Sequence, residues 1–273
     1  MVNKQYKLLV IDIDGTLISK DSNISQENKE ALAVARSNGI TIALSTGRTI
    51  TSCRRIMEQL SLDGYHIFFD GALVSNFNNS EHVHVRPVEK ELVKEMVAFA
   101  SNNGIDLELA SATRYFAAHE TWSTEIKRNF FDIETTIGAL AIPCETEIII
   151  RLDIVITNAQ EQIKADIFMK HFADRLCFSQ AYSPQFPDVR FINIIAPGTS
   201  KGEALKALAD HLKVSLDEVV AVGDWVNDIS LLSTAGLGIA MGNAHDDLKA
   251  MADHVTLSVD EHGLAAAVQE FLL

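Results

Sequence analysis

The chain has 273 residues and a formal net charge of −14, from 23 Lys and Arg against 37 Asp and Glu. That length corresponds to roughly two ordinary domains, and 47% hydrophobic with 22% charged residues is globular usage that excludes wholesale disorder. The acidic balance argues against binding nucleic acid or an anionic membrane, which need a basic surface, but leaves room for a small phosphorylated ligand whose site is set by local charges.

Lys7-Leu-Leu-Val-Ile-Asp12 is an uninterrupted, branched apolar run, the pattern of a parallel strand covered on both faces. Ser25 suits the N-cap of a helix over 26–38, where Ala31, Leu32, Val34 and Ala35 recur at helical spacing and Gly39 supplies the stop. A second buried strand is expected over 40–44, a helix over 49–60 and a third strand over 65–69. This alternation argues for an α/β layer with a parallel sheet.

After residue 83 the rhythm changes. A helix is expected over 88–103, two alternating strands within 105–118, a strand over 147–156, a helix over 159–172, and strands over 175–182 and 189–195. The first rhythm then returns, with helices over 200–212, 227–233, 246–251 and 263–271 and strands over 219–222, 238–241 and 254–257. The two ends read as halves of one sheet. The expected organisation is a core of 1–82 and 197–273 with an α+β module, 83–196, inserted into it.

No apolar run approaches the ~18 to 20 residues of a membrane span, and Leu8–Ile11 runs straight into Asp12 without the small-residue cleavage site of an export signal. Cys53, Cys144 and Cys177 form no C-x-x-C pair and suit a reducing cytosol, so a cytoplasmic monomer or homodimer is expected. Trp122 and Trp225 read as packing residues.

Three stretches could carry chemistry. Asp12-Ile13-Asp14-Gly15-Thr16 ends the first strand, where open α/β sheets place their ligands, and the turn at Gly15 lets both carboxylates face one crevice. Two like charges that close raise each other's pKa and call for a cation between them, a demand that suits Mg²⁺. Ser45-Thr46-Gly47-Arg48 places hydroxyls and a glycine between a strand and a helix, a natural anion cradle, and Lys201 opens a later helix. Gly223-Asp224-Trp225-Val226-Asn227-Asp228 follows an apolar strand and brings two more carboxylates, which strengthens the demand for a metal.

The order Asp12-x-Asp14-Gly-Thr, Thr46-Gly-Arg, Lys201, Gly223-Asp224-x-x-Asn227-Asp228 resembles the four-motif signature of the haloacid dehalogenase superfamily. With Ala240-Met241-Gly242-Asn243-Ala244, it is similar to the Cof-type phosphatases that carry a type IIB cap. The likeness covers roughly residues 6–75 and 192–273, and departs where Asp70 stands in Phe69-Asp70-Gly71-Ala72 in place of the usual Asn of Asn-Gly-Ala; an altered core-to-cap contact is expected there. The resemblance implies a Rossmann-like three-layer α/β core with an inserted α+β cap. It implies Asp12 as the nucleophile that takes the phosphoryl group, and Asp14 as general acid and then base. Ile13, Thr46, Gly47, Lys201 and Asn227 would bind the phosphoryl group, with Asn227 bonded near the phosphate or to Lys201. Asp12, Asp14 through its carbonyl, and Asp224 would hold Mg²⁺, with Asp228 orienting metal-bound water. Only about ten residues, 17–26, separate the first motif from the next helix, so substrate selection falls to the module between Arg48 and Lys201, with Arg114, Tyr115 and Tyr182 in its expected turns as candidates.

A phosphatase of small metabolites is therefore expected, with sugar phosphates first and phosphorylated cofactors such as pyridoxal phosphate or flavin mononucleotide second. The alternatives are a phosphomutase or a silent binding protein on the same scaffold. Gly198-x-Ser200-x-Gly202 also matches a serine-hydrolase elbow, with Asp224 and then His254 or His262 downstream as partners, but that reading leaves Asp12, Asp14 and Asp228 without work.

Overall fold

Four consecutive apolar residues with no polar face are satisfied only where both sides of a strand are covered, and Leu8–Ile11 (β1) is fully buried along its length. The computed structural model describes residues 6–19, 23–79, 81–131, 133–183 and 186–273. After β1 come α1 (Gln26–Ser37), β2 (Thr41–Leu44), α2 (Ile50–Leu60), β3 (Tyr65–Phe68), β4 (Leu73–Asn76) and β5 (His82–Val85). Next are α3 (Lys90–Asn103), β6 (Leu107–Ala110), β7 (Tyr115–Ala117), α4 (Trp122–Phe131), β8 (Thr135–Ile137), α5 (Ala141–Thr146), β9 (Arg151–Ile156), α6 (Ala159–Phe172), β10 (Cys177–Ser183) and β11 (Phe186–Ile195). The chain closes with α7 (Lys201–Leu212), β12 (Val219–Gly223), α8 (Ile229–Thr234), β13 (Leu237–Ala240), α9 (Asp246–Met251), β14 (His254–Val255) and α10 (Gly263–Phe271). Two units share the chain: Met1–Arg48, Cys53–His84 and Ser200–Leu273 form the first, and Thr49–Ser52 with Val85–Thr199 the second.

In the first unit the two ends of the chain meet in one parallel sheet of order β14-β13-β12-β1-β2. Leu8 pairs with Val219 on one side and Thr41 on the other. Ser25 caps α1 by accepting the Asn28 amide, and Ser200 caps α7 by accepting that of Glu203. The run over 65–69, expected as a third strand of this sheet, instead opens a separate three-stranded sheet, β3-β4-β5. A bridge between Ser45 and Ile67 ties it to the end of β2. The physical reason lies at Phe69, Asp70 and Gly71, whose left-handed backbone sends the chain back antiparallel into β4.

His66 lies on β3 with no exposed surface, and its Nδ1 accepts the Leu44 amide at 3.0 Å, which places the ring proton on Nε2. Burial lowers its pKa from 6.5 to about 4. Only the unfolded chain then takes up a proton between those values. The stability is present above pH 6.5 and is lost as pH falls toward 4, by about 3 kcal/mol from this residue. A His66→Asn variant should lose about 3 kcal/mol less across that interval in urea unfolding. Equal losses in both proteins would rule out His66 as the source.

The second unit is built on a six-stranded sheet of order β10-β11-β9-β6-β7-β8. Strand alternation sends Leu107, Leu109, Leu152, Ile154, Ile192 and Ile194 into an apolar core with Phe168 of α6 and Met96 of α3. The alternate residues Glu108, Arg151 and Asp153 are also buried, in a charged cluster completed by Tyr115 and by Lys127 of α4. Trp122 on α4 is 37% exposed and packs edge-on against Phe186, and Trp225 is 49% exposed and packs edge-on against His245, so both pack at the surface and not in a core.

Candidate active site

β12, β1 and β2 are adjacent and parallel, so the residues that follow them gather at one sheet edge. Asp12 follows β1, Ser45-Thr46-Gly47 follow β2, and Asp224 follows β12. Lys201 enters from the first turn of α7 and is 1% exposed. Its Nζ donates to Asp12 Oδ1 at 2.6 Å and to Asp228 Oδ1 at 2.6 Å. The other oxygen of Asp228 accepts the main-chain N–H groups of Asp224 at 3.0 Å and Trp225 at 3.1 Å, so Asp228 is committed on both sides. Thr16 donates its hydroxyl to Asp224 Oδ1 at 3.1 Å. Asp12, Asp224 and Asp228 each offer an oxygen within 4.8 Å of the others.

Burial sets the charge state of this cluster. It holds the Asp12 carboxyl well above its usual range even against Lys201, with Asp228, Asp224 and Asp14 adding to the effect. Burial, followed by the neighbouring Asp228, pushes Asp224 up to about 7. Burial alone would lower Lys201, but Asp12 and Asp228 outweigh it and keep the ammonium charged.

The carboxylate of Asp14 does not share a cation position with that of Asp12, as the paired motif suggested. It is exposed, and both its oxygens accept from Arg48, at 2.8 Å from Nε and 2.6 Å from Nη2. Thr46 is buried; its Oγ1 accepts the Arg48 amide at 3.1 Å and keeps its own proton to donate. The Ile13 side chain is fully buried and its carbonyl accepts from Leu17 and Ile18, so its N–H is the group it can offer an anion. Asn227 does not bond to Lys201: its Nδ2 donates to Asp70 Oδ1 at 2.9 Å. Asp70 therefore stands at the edge of this cluster, in the first unit. Asn243 donates to the Gly15 carbonyl at 2.9 Å and accepts the Val259 amide at 2.7 Å, which ties down the turn behind Asp14.

The candidates in the second unit separate. Arg114 is exposed, paired with Glu147 at 2.6 Å and stacked over the Phe116 ring at 4.9 Å. Tyr115, expected in a turn, lies in β7 and is buried, with its hydroxyl accepting from Arg151, so it presents no surface to a ligand. The side chain of Tyr182 lies outside the described residues. The serine-hydrolase alternative fails on geometry. Ser200 Oγ caps α7, His254 stands 3.6 Å from Glu270, and His262 stands 3.6 Å from Glu27. Sequence reasoning gave no role to Arg48 or Thr16, although both lie inside the quoted motifs.

A family model described as haloacid dehalogenase-like hydrolase matches residues 9–268. The 5-amino-6-(5-phospho-D-ribitylamino)uracil phosphatase YcsE of Bacillus subtilis is 30% identical, over 98% of this chain and 96% of that protein. Phosphatase YwpJ of the same organism is 29% identical, over 97% of this chain and 100% of its own length. Among solved structures, a haloacid dehalogenase-like hydrolase from Bacteroides thetaiotaomicron aligns with a TM-score of 0.82 at 25% identity, covering 97% of this chain and 99% of that one. The HAD subclass IIB sugar phosphatase BT4131 aligns with a TM-score of 0.76 at 26% identity, covering 97% and 98%.

Proposed function

The chain belongs to the haloacid dehalogenase-like hydrolases and is a phosphatase, and from that premise we propose that it hydrolyses a small phosphorylated metabolite with Mg²⁺, through a phosphoryl group carried on Asp12. The observation that carries this reading is Lys201 Nζ, held at 2.6 Å from both Asp12 and Asp228 at the sheet edge where Thr46 and Asp224 also stand.

The donor set fits a hard divalent cation. Every candidate ligand atom is a carboxylate or carbonyl oxygen, and burial first, then the neighbouring carboxylates, raises the pKa values of Asp12 and Asp224, a cost that a bound cation would relieve. One Asp12 oxygen goes to Lys201 and one Asp224 oxygen to Thr16, which leaves the second oxygen of each, with the Asp14 carbonyl, to hold Mg²⁺. When bound, the cation supplies positive charge to the transferring phosphoryl oxygens. Asp228 fixes Lys201 and the main chain of the loop, and from beside Asp12 and Asp224 it would orient water held by the cation.

In this reading Asp12 attacks phosphorus with a carboxylate oxygen, and the bond from phosphorus to the ester oxygen breaks. Asp14, which must first leave Arg48 and take up a proton from solvent, gives that oxygen the proton as it meets the substrate. Asp14 then takes a proton from the water that attacks phosphorus, and free phosphate leaves with Asp12 restored. Lys201, the Thr46 hydroxyl, the Asn227 amide and the N–H groups of Ile13 and Gly47 hold the phosphoryl oxygens, where charge spreads in the transition state.

Sugar phosphates are the first substrate class and phosphorylated cofactors the second. Two of the similar proteins are named for a sugar phosphatase activity and for a phosphoribityl substrate, which supports that order. The unit over 85–199 acts as the cap that selects the leaving group, with Arg114 and Tyr182 as its candidate contacts, and the protein works in the cytoplasm. The test is phosphate release from sugar phosphates, pyridoxal phosphate, flavin mononucleotide and an aryl phosphate, with Mg²⁺ or with chelator. Release that needs Mg²⁺ and is highest with a sugar phosphate is expected. Full activity in chelator would overturn the Mg²⁺ assignment, and a preference for the cofactors would reverse the substrate order.

A further inference from the structure

Three consecutive residues of the β3–β4 connection are left-handed: Phe69 at φ 52°, Asp70 at φ 53° and Gly71 at φ 98°. For a bulky, fully buried residue such as Phe69 that conformation costs on the order of 1–3 kcal/mol and persists only where its surroundings over-determine it. The surroundings here are the phosphate cradle. The Phe69 amide donates to the Arg48 carbonyl at 3.1 Å and the Asp70 amide to the Thr46 carbonyl at 3.0 Å. A Cβ on Gly71 would lie 2.2 Å from the Ser200 carbonyl oxygen, so the loop is pressed against the start of the helix that carries Lys201. On the other side, a Cβ on Gly47 would lie 2.9 Å from Asp70 Oδ1. The strained turn thus drives a buried carboxylate against the Gly47 main chain.

An extra negative charge there is unfavourable for an anionic substrate, so its use must lie in what it orients. Asp70 as a carboxylate only accepts hydrogen bonds, whereas the Asn227 amide both donates and accepts. Donating one Nδ2 proton to Asp70 Oδ1 at 2.9 Å, the Asn227 amide has a second N–H to give. The flipped amide would present an oxygen to the phosphate. We propose that Asp70 is a positioning residue that fixes the Asn227 amide so that its remaining N–H meets a phosphoryl oxygen. This rests on the phosphatase reading above.

The sign of one substitution tests it. Asp70→Asn is isosteric and tolerates left-handed backbone equally well, but it lets either end of the Asn227 amide face it. Bulk electrostatics alone would make this variant bind phosphate more tightly. Loss of orientation makes it bind more weakly. The readout is competitive inhibition of aryl phosphate hydrolysis by orthophosphate in wild type, Asp70→Asn, Asn227→Ala and the double variant. The expected result is that Asp70→Asn raises the inhibition constant and KM about tenfold with a smaller change in kcat, and that the double variant is no weaker than Asn227→Ala alone. Tighter or unchanged inhibition in Asp70→Asn, or full additivity in the double variant, would overturn the proposal. If Asp70→Asn does not fold, Asp70→Gly removes the acceptor without backbone strain and is judged by the same sign. A wild-type chain that neither releases phosphate nor is stabilised by orthophosphate overturns the phosphatase reading as well. Activity in wild type with the wrong sign in Asp70→Asn overturns this proposal alone.

Discussion

Asp12→Asn is expected to lower phosphate release by roughly 10⁴- to 10⁶-fold, the loss seen when a nucleophile is removed from a site whose parts act together. The amide keeps the shape of the carboxyl and still accepts from Lys201, but its oxygen is a poor nucleophile toward phosphorus. Stability should move the other way. The Asp12 pKa is raised in the folded protein, so ionising it at neutral pH costs folding free energy that is absent below its ordinary pKa of 3.8. Asn removes that charge, and its midpoint of thermal unfolding should equal or exceed that of wild type. Measuring rate and melting together separates the explanations. A variant that keeps a hundredth or more of the activity would remove Asp12 from the nucleophile's role, whereas lost activity with strongly lowered melting would trace the effect to folding.

Lys127→Met should have the largest effect on stability, on the order of 3–5 kcal/mol. In the second unit Glu108 on β6 and Asp153 on β9 are register partners, an arrangement of like charges that a sheet does not tolerate unaided. Lys127 Nζ bonds to Glu108 and reaches Asp153 at 3.1 Å, and its charge also lies 4.7 Å from the Tyr115 ring centroid. Burial would raise Asp153, but Arg151 and then Lys127 offset it and hold the carboxyl below its usual range. Methionine fills the space and leaves two buried carboxylates with Arg151 alone. Unfolding can be followed at Trp122, in the same unit, after Trp225→Phe removes the other indole. A loss under about 1 kcal/mol would show that the cluster contributes little; recovery of part of the loss by adding Glu108→Gln would identify carboxylate repulsion as its origin.

The parts of this molecule that were legible in its sequence are those in which one residue's neighbours settle its environment. The runs at Leu8–Ile11 and Val219–Gly223 have no polar face, so they had to be covered strands, and the chemistry-bearing residues that follow them had to share an edge. Helix α4 was not read, because Lys127 breaks its apolar spacing and a lysine normally marks the solvated face; here a charge satisfied by two distant carboxylates is buried. Strand β4 is illegible for a related reason: it exists because Phe69 takes a left-handed conformation, which no propensity of phenylalanine signals. The acidic and basic residues of the site could be named from their order, but not their pairings. That Asp14 would be held by Arg48, and Asn227 by Asp70 across 157 residues, depends on side-chain directions set by the completed sheet.

The position of β1 between β2 and β12 also has a consequence for biosynthesis. On the ribosome, β2 follows β1 almost at once, but the strand that covers its other edge and the lysine that neutralises Asp12 come far later, Lys201 at a separation of 189 residues. At ~5–20 residues per second, the nascent chain holds Asp12 without its counter-charge, and β1 with one open apolar edge, for ~10–40 s. The six-stranded sheet of the second unit, by contrast, is contiguous in sequence and can close before synthesis ends. Translation that stops before Val219 would therefore leave the sheet of the first unit without β12, β13 and β14, and β1 with one edge open to pairing with other chains.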